Sequence, residues 1–192
     1  MPFRSLRLAS AAVLLLVLPS CAALQSILAL SQVDFSLDRV HQLRLAGVEL
    51  DPIRSYRDLG AVDVLRLGAS LADGRLPLEL TLVVGAQNPE DNPEARLVAM
   101  DWTLFLEDRE TIGGGLAEEV RIPSGGHTPV PVVARLDLLE FFDGGLEELV
   151  NLAASLAGVD GAPVNVRMEL LPTIETPLGP IRYPQPLVIG GR

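Results

Sequence analysis

The chain has 192 residues, 48% of them hydrophobic and 21% charged, and a formal net charge of −10 at pH 7. This length and hydrophobic content fit one folded domain with a sizeable core and exclude a disordered chain, which low hydrophobicity would produce. The acidic balance argues against a nucleic-acid partner, because contacts with phosphates require a surplus of basic side chains.

The first twenty residues have the features of a secretory signal peptide. They contain Arg4 and Arg7, no acid, and an almost wholly apolar run over residues 8–18. That run is shorter than the roughly 20 apolar residues of a transmembrane helix. A basic start, a short apolar middle and small residues before a cleavage site are typical of export.

Cys21 is the single cysteine of the chain and stands at the end of this run, in the sequence LPSC. The sequence resembles the lipobox of bacterial lipoproteins. The resemblance implies cleavage between Ser20 and Cys21, with a diacylglyceryl thioether on the sulfur. Two or three acyl chains would anchor the protein firmly, since each buried methylene adds about 0.8 kcal/mol. The alternative is an ordinary signal peptide and an incidental cysteine.

The residues after Cys21 indicate the membrane to which such a lipoprotein would be sorted. Ala22 and Ala23 follow it, with no aspartate, which resembles the sorting pattern of outer-membrane lipoproteins. We therefore expect a lipid-anchored protein of the cell envelope, on the periplasmic face of the outer membrane.

The predicted organisation is a signal peptide at 1–20, a tether at 21–30 and a single domain at 31–192. From residue 21 onward the chain has 25 acidic and 13 basic residues, so its formal charge is 13 − 25 = −12.

Alternating apolar residues predict strands with one buried face. The inward residues would be the even-numbered ones in residues 76–86, 98–106, 130–138 and 164–170. Shorter candidates are residues 33–37, 43–50, 112–122 and 181–189. Many strands separated by Gly, Pro and Asn indicate a mainly β fold, a β-sandwich.

Two segments favour helices. In the first, Asp58 would cap the start, Gly74 would end it, and Leu59, Val62, Leu65 and Ala69 would form the apolar face. In the second, Asp143 would cap the start, Gly158 would end it, and the apolar face would contain Leu146, Leu149, Val150, Ala153, Leu156 and Ala157. Each helix either covers one end of the sandwich, the commoner arrangement, or offers a surface to a partner.

Residues that could perform chemistry are few, so we expect no enzyme, no cofactor and no metal. His41 and His127 are the histidines of the chain, and each is predicted at the surface. The acids Glu90, Asp91 and Glu94 lack the spacing of a Ca²⁺ loop and are read as a solvated hairpin. The glycines at 113–115 lack the Lys and Ser or Thr of a phosphate loop and are read as marking a bulge.

Residues 76–138 resemble the late embryogenesis abundant type 2 domain, also called the water-stress and hypersensitive-response domain. The resemblance is carried by Asn88 and Pro89 at the end of one strand, by Trp102 within the next, and by the turn with Ile122, Pro123 and Gly125. It implies an immunoglobulin- or fibronectin III-like sandwich with one or two accessory helices. The family brings no catalytic residues and is linked to desiccation and stress tolerance.

The predicted function is therefore stress-related binding or protection by an acylated, non-catalytic envelope protein. Its partners would be the lipid bilayer, through Cys21, and an envelope protein or a lipid ligand. One alternative is a carrier of lipid or another hydrophobic ligand, which would require a cavity of a few hundred cubic ångströms. The other is a scaffold subunit, which would require an exposed apolar patch; Phe141 and Phe142 are candidates for it, or for sealing the sandwich beneath a helix.

Overall fold

The computed structural model describes residues 32–116, 118–156, 165–175 and 179–191. The strands, in chain order, are β1 (Asp34–Leu45), β2 (Val48–Glu49), β3 (Pro77–Gln87), β4 (Ala95–Leu106), β5 (Arg109–Leu116), β6 (Val120–Ile122), β7 (His127–Asp137), β8 (Val166–Ile174), β9 (Ile181–Arg182) and β10 (Leu187–Gly190). The helices are α1 (Ala61–Ala72) and α2 (Leu146–Ser155), with 3₁₀ helices at Tyr56–Asp58 and Leu138–Glu140.

The strands form two antiparallel sheets that share one hydrophobic core. The first sheet has the order β2-β1-β3-β7, and the second has the order β10-β8-β4-β5, with β6 also paired to β4 and β9 to β8. The predicted inward residues of β3 and β7 are buried, as are Val166, Met168 and Leu170 of β8. Val164 lies outside the described residues. A mainly β fold with antiparallel sheets and two helices is therefore confirmed.

β1 is one strand where the sequence predicted separate segments. Its pairing with β3 is irregular in two places. Each irregularity changes which residues face the core. The buried residues Leu37, Val40 and Leu43 are therefore three positions apart and not two. Because a bulge inserts an extra residue and interrupts the period of two, the sequence pattern read as two fragments.

Three other strand predictions need correction. In β4 the pairing with β8 shifts between Leu97 and Ala99, so Leu97 is buried and Val98, predicted inward, is only half-buried. Residues 112–122 form two strands, β5 and β6, which both pair with β4. Residues 181–189 are likewise divided between β9 and β10.

α1 lies where predicted, but its start and its buried face differ. It begins after Gly60, and Asp58 instead ends the preceding 3₁₀ helix. Leu67 is fully buried, whereas Val62 and Leu65 are 69% and 74% exposed. The helix ends before Gly74, as expected, and that glycine has a φ of +70°.

α2 follows the prediction more closely. Leu149, Val150, Ala153 and Leu156 are buried. The N-cap of α2 is Gly145, whose N–H donates to the Glu148 carboxylate at 2.9 Å, and not the predicted Asp143. The predicted end at Gly158, and Ala157, lie outside the described residues.

The helices and the start of β1 lie at opposite ends of the sheets. Asp34, at the start of β1, pairs with Gln87 at the end of β3, which in turn pairs with His127 at the start of β7. α1 precedes the start of β3, and α2 follows the end of β7. We call the end with α1, α2 and the 3₁₀ helices the helical end, and the end with residues 88–94 and 123–126 the loop end.

Candidate functional site

The predicted lipidation site, Cys21 with the cleavage position after Ser20, lies outside the described residues. Among the described residues, no helix has both the length and the apolar character needed to cross a bilayer. The other predicted site residues, those of the family resemblance, all lie within the described part of the chain.

Asn88 is the centre of a hydrogen-bonded cluster at the loop end. It is fully buried, and its side-chain N–H₂ donates to the carbonyl oxygens of Pro93 and Ile122, both at 3.0 Å. Its side-chain oxygen accepts a hydrogen bond from Asn92, and its backbone N–H donates to Gly126 at 2.9 Å. Buried polar groups require such partners, so Asn88 joins the loop after β3 to the turn before β7.

Pro89 and Gly125 complete the same cluster. The N–H of Gly125 donates to the Pro89 carbonyl at 3.0 Å, and the Ser124 hydroxyl donates to the Glu90 carbonyl at 2.7 Å. Gly125 has a φ of +68°, a conformation that favours glycine, and a Cβ there would lie 3.2 Å from the Glu90 side chain. Pro123 is exposed at the beginning of this turn. The motif residues of the two loops are therefore brought together for a structural reason.

Trp102 lies apart from this cluster, on the neighbouring strand pair. It is 8% exposed and pairs with Gly114 of β5. The indole occupies the space of a side chain at Gly114, because a Cβ there would overlap the ring atoms Cε2 and Cζ2. The three glycines pair regularly with β4, and the irregularity lies next to them, where Thr103 and Phe105 pair with Gly113 and Glu110.

The two histidines have different surroundings. His127 Nε2 lies 3.0 Å from Asp38 Oδ2, and the Ser36 hydroxyl donates to the other oxygen of that carboxylate at 2.7 Å. The Asp38 carboxylate covers Gly85, where a Cβ would overlap it. Ser36 contacts the aspartate rather than the histidine, so the group is not ordered as a nucleophile activated by a base. His41 is half-buried in β1.

Glu94, one of the three acidic residues singled out by sequence, lies at the edge of a group of ion pairs around Glu119. Glu119 accepts two hydrogen bonds from Arg96 Nη2 at 2.9 Å, and these bonds hold the pKa of the Glu119 carboxyl below its ordinary value. Arg121 contacts both Glu119, at 3.0 Å, and Glu94, at 4.0 Å. Within the described residues, no three His, Cys, Asp or Glu side chains are grouped as metal ligands.

Two clefts open on the surface rather than in the core. One, of about 230 Å³, is lined by Gln42, Arg44, Glu79, Leu80, Thr81, Val133 and Arg135. The other, of about 330 Å³, is lined by Ser70, Asp73, Arg75, Pro77 and Asp137. Because most of these linings are polar or charged, they do not resemble the largely apolar sites that enclose hydrophobic ligands.

Tyr183 contains an unpaired polar atom. Its hydroxyl is buried and has no hydrogen-bond partner among the described residues, and burial raises the pKa of this phenol. Its backbone N–H donates to Pro172 at 2.9 Å, which fixes the residue beside β8.

The helical end contains an exposed apolar surface, part of which is the face of α1 that was expected to cover the sandwich or to meet a partner. We define the α1 face as Val62, Leu65, Ala69 and Ala72, all exposed on one side of α1. In the sequence, the α1 face was indicated by apolar residues on more than one side of α1, since a helix at the edge of a domain cannot bury all of them.

Phe141 and Phe142, by contrast, are half-buried against the core, and Arg109 lies 5.2 Å from the centre of the Phe142 ring.

Five solved chains are similar to this chain, and two of them are a crystal structure and a solution structure. A crystal structure of a protein from Archaeoglobus fulgidus has 15% sequence identity and a TM-score of 0.35, over 58% of this chain and 80% of that one. A solution structure of a protein provisionally described as late embryogenesis abundant (LEA) has 12% identity and a TM-score of 0.38, over 96% of this chain and 87% of that one. At these scores neither assigns a fold family or an activity. No protein-family model and no curated protein matches the chain.

Proposed function

We propose that the protein is a non-catalytic lipoprotein of the cell envelope, anchored through Cys21, that binds or protects envelope components under desiccation or related stress. The observation that supports this proposal is the burial of the motif residues. Asn88, Trp102 and Ile122 are at most 8% exposed, so they support the loops and the sheet and are not available to a substrate. The lipobox resemblance around Cys21 supports the anchor and the outer-membrane address.

We also propose an immunoglobulin- or fibronectin-like strand topology, as the late embryogenesis abundant type 2 resemblance implies. Among the described strands, seven remain when the short β2, β6 and β9 are set aside. In the immunoglobulin constant-type fold, the first, second and fifth strands share one sheet, and the third, sixth and seventh share the other. The corresponding sets here are β1, β3, β7 and β4, β8, β10. The fourth strand, β5, joins the second set.

The carrier alternative receives no support from the two clefts, because both open at the surface and both contain charged residues. The scaffold alternative would use the α1 face in place of Phe141 and Phe142, which are half-buried.

The anchor and the function are tested separately. The chain is expressed in a bacterium with its own first twenty residues, beside the variant Cys21→Ser, in which an ordinary cleavable secretion signal replaces residues 1–20 so that no apolar segment is retained. The parent protein should partition into detergent and yield an amino-terminal peptide with the mass of a lipid adduct, whereas the variant should stay in the aqueous phase. Dye-loaded vesicles with the lipidated protein should then leak less after drying than vesicles with an equal mass of albumin. Equal leakage would contradict the protective function, even if the anchor is present.

A further inference from the structure

We propose that the α1 face rests against the lipid bilayer that holds the anchor, as a second membrane contact. This inference depends on the lipid anchor proposed at Cys21. The contact would be made by an amphipathic helix that lies in the interface, with its apolar side chains toward the acyl chains.

Exposure and spacing support the contact. Val62 and Leu65 are 69% and 74% exposed, and Ala69 and Ala72 are exposed beside them. Their positions differ by three, four and three residues, which places all four on one side of a helix. Leu67 is directed into the core, so the orientation of α1 is fixed while this side remains open.

The distribution of charge supports the same surface. Residues 51–76 contain four Arg and four Asp, a net charge of zero, so the remainder of the chain after residue 20 carries the whole charge of −12. An anionic membrane repels acidic surfaces and attracts arginines near its plane. Arg66 is exposed beside Leu65, and Asp73 is exposed at the end of α1, whereas α2 exposes Glu147 and Glu148 and contains no basic residue. α1 is therefore the helix of this end that is suited to a bilayer.

The length of the tether permits the contact. Val33 lies twelve positions after Cys21, which is a reach of roughly 40 Å when the chain is extended. β1 has twelve residues, a length of roughly 40 Å, and it separates the loop end from the helical end. An anchored chain can therefore bring α1 to its own bilayer when the tether is nearly extended, and the contact is then intramolecular.

A second copy of the chain fits the α1 face less well. α1 has twelve residues, which corresponds to a length of about 18 Å. One side of such a helix offers less than the roughly 800 Å² that each partner buries in a stable interface. A contact with a lipid surface does not require each partner to bury such an area.

The test uses the acylated protein in vesicles of phosphatidylethanolamine and phosphatidylglycerol, three parts to one. Acylation occupies the sulfur of Cys21, so an introduced cysteine would be the single free thiol of the chain. Ala69→Cys on α1 and Val188→Cys on β10, which is 59% exposed in the parent, are each labelled with a polarity-sensitive dye. Nitroxide-labelled lipid should quench the dye at position 69 at least about three-fold more than at position 188, because only α1 would lie within reach of the bilayer. The further changes Val62→Gln and Leu65→Gln should remove that difference while the circular dichroism stays unchanged.

The outcomes separate the two proposals. Failure of the acylated protein to float with vesicles would overturn the anchor, and this inference with it. Flotation with equal quenching at positions 69 and 188 would overturn the α1 contact alone. Quenching at position 69 that falls as the protein-to-lipid ratio rises would indicate a second copy on the α1 face and would also overturn the contact.

Discussion

The side-chain amide of Asn88 donates a hydrogen bond to the carbonyl oxygen of Ile122 at 3.0 Å, although the two residues are 34 positions apart. The same amide also donates to Pro93 at 3.0 Å. One buried side chain therefore satisfies the backbone of two loops, a role that no apolar residue of the same size could take.

The first prediction concerns this amide. Asn88→Ala leaves the buried carbonyl of Ile122 and the partly buried carbonyl of Pro93 without their donor, so we expect the free energy of unfolding to fall by about 3 kcal/mol. Gln87→Ala is the matched control, because Gln87 is exposed and donates one longer bond, at 3.3 Å, to Asn88; it should cost less than about 0.5 kcal/mol. Urea denaturation of the chain from residue 22 onward measures both. Equal losses would show that the loops do not depend on Asn88.

The second prediction concerns Trp102. Gly114→Ala places a methyl group where the indole lies, so the ring must move, at a cost of about 2 kcal/mol. Gly115→Ala is the control, because its methyl group would meet a movable carboxylate oxygen of Asp101 at 3.3 Å. Trp102 is the single tryptophan, so its emission should shift to longer wavelength in the Gly114 variant only. Unchanged emission and stability in that variant would refute this packing.

The third prediction is a pH dependence at Asp58. Its carboxylate accepts hydrogen bonds from the backbone N–H groups of Arg54, at 3.0 Å, and Ser55, at 2.9 Å, and these bonds hold its pKa below the usual 3.8. Because the folded pKa is depressed, this stabilisation is complete above a pH of about 3.8 and is lost as the pH falls through the lower folded value. The urea midpoint of the parent should exceed that of Asp58→Asn at neutral pH, and the two should converge below pH 3.8. A difference that persists in strong acid would contradict this assignment.

The fourth prediction compares two leucines of α1. Leu67→Ala removes a fully buried side chain and should lower the free energy of unfolding by about 2–5 kcal/mol. Leu65→Ala, two residues earlier in the same helix, removes a side chain that is 74% exposed and should change stability by less than about 0.5 kcal/mol. Thermal unfolding followed by circular dichroism distinguishes them. A larger loss for Leu65 would restore the orientation that the sequence predicted.

The regular strands were predictable because their signal is local. The even positions 78–86 of β3, 130–136 of β7 and 166–170 of β8 are all apolar, and a period of two in apolar residues is enough to assign a buried face. β1 and β4 were harder to predict because a bulge changes the parity without leaving a mark in composition. Val98 was therefore predicted to face the core, although the pairing of β4 with β8 shifts between Leu97 and Ala99 and leaves Val98 half-buried.

Among the candidate sites, too, motifs of neighbouring residues were predictable and contacts between distant residues were not. The resemblance to a lipobox around Cys21 and the pair Asn88 and Pro89 are visible in the sequence, since each is a short motif of neighbouring residues. The contacts of Asn88 with Ile122 and of Asp38 with His127 are not, because each joins strands that are distant in sequence.

The sequence by itself determined the acidic charge, the class of fold and the existence of both helices, because composition and short-range periodicity specify these properties. Only the tertiary structure decided which side of α1 is buried. α1 has apolar residues on more than one side, and the core accepts Leu67 and leaves Val62 and Leu65 exposed. That choice depends on the shape of the space between α2 and the ends of the strands, which no local pattern encodes.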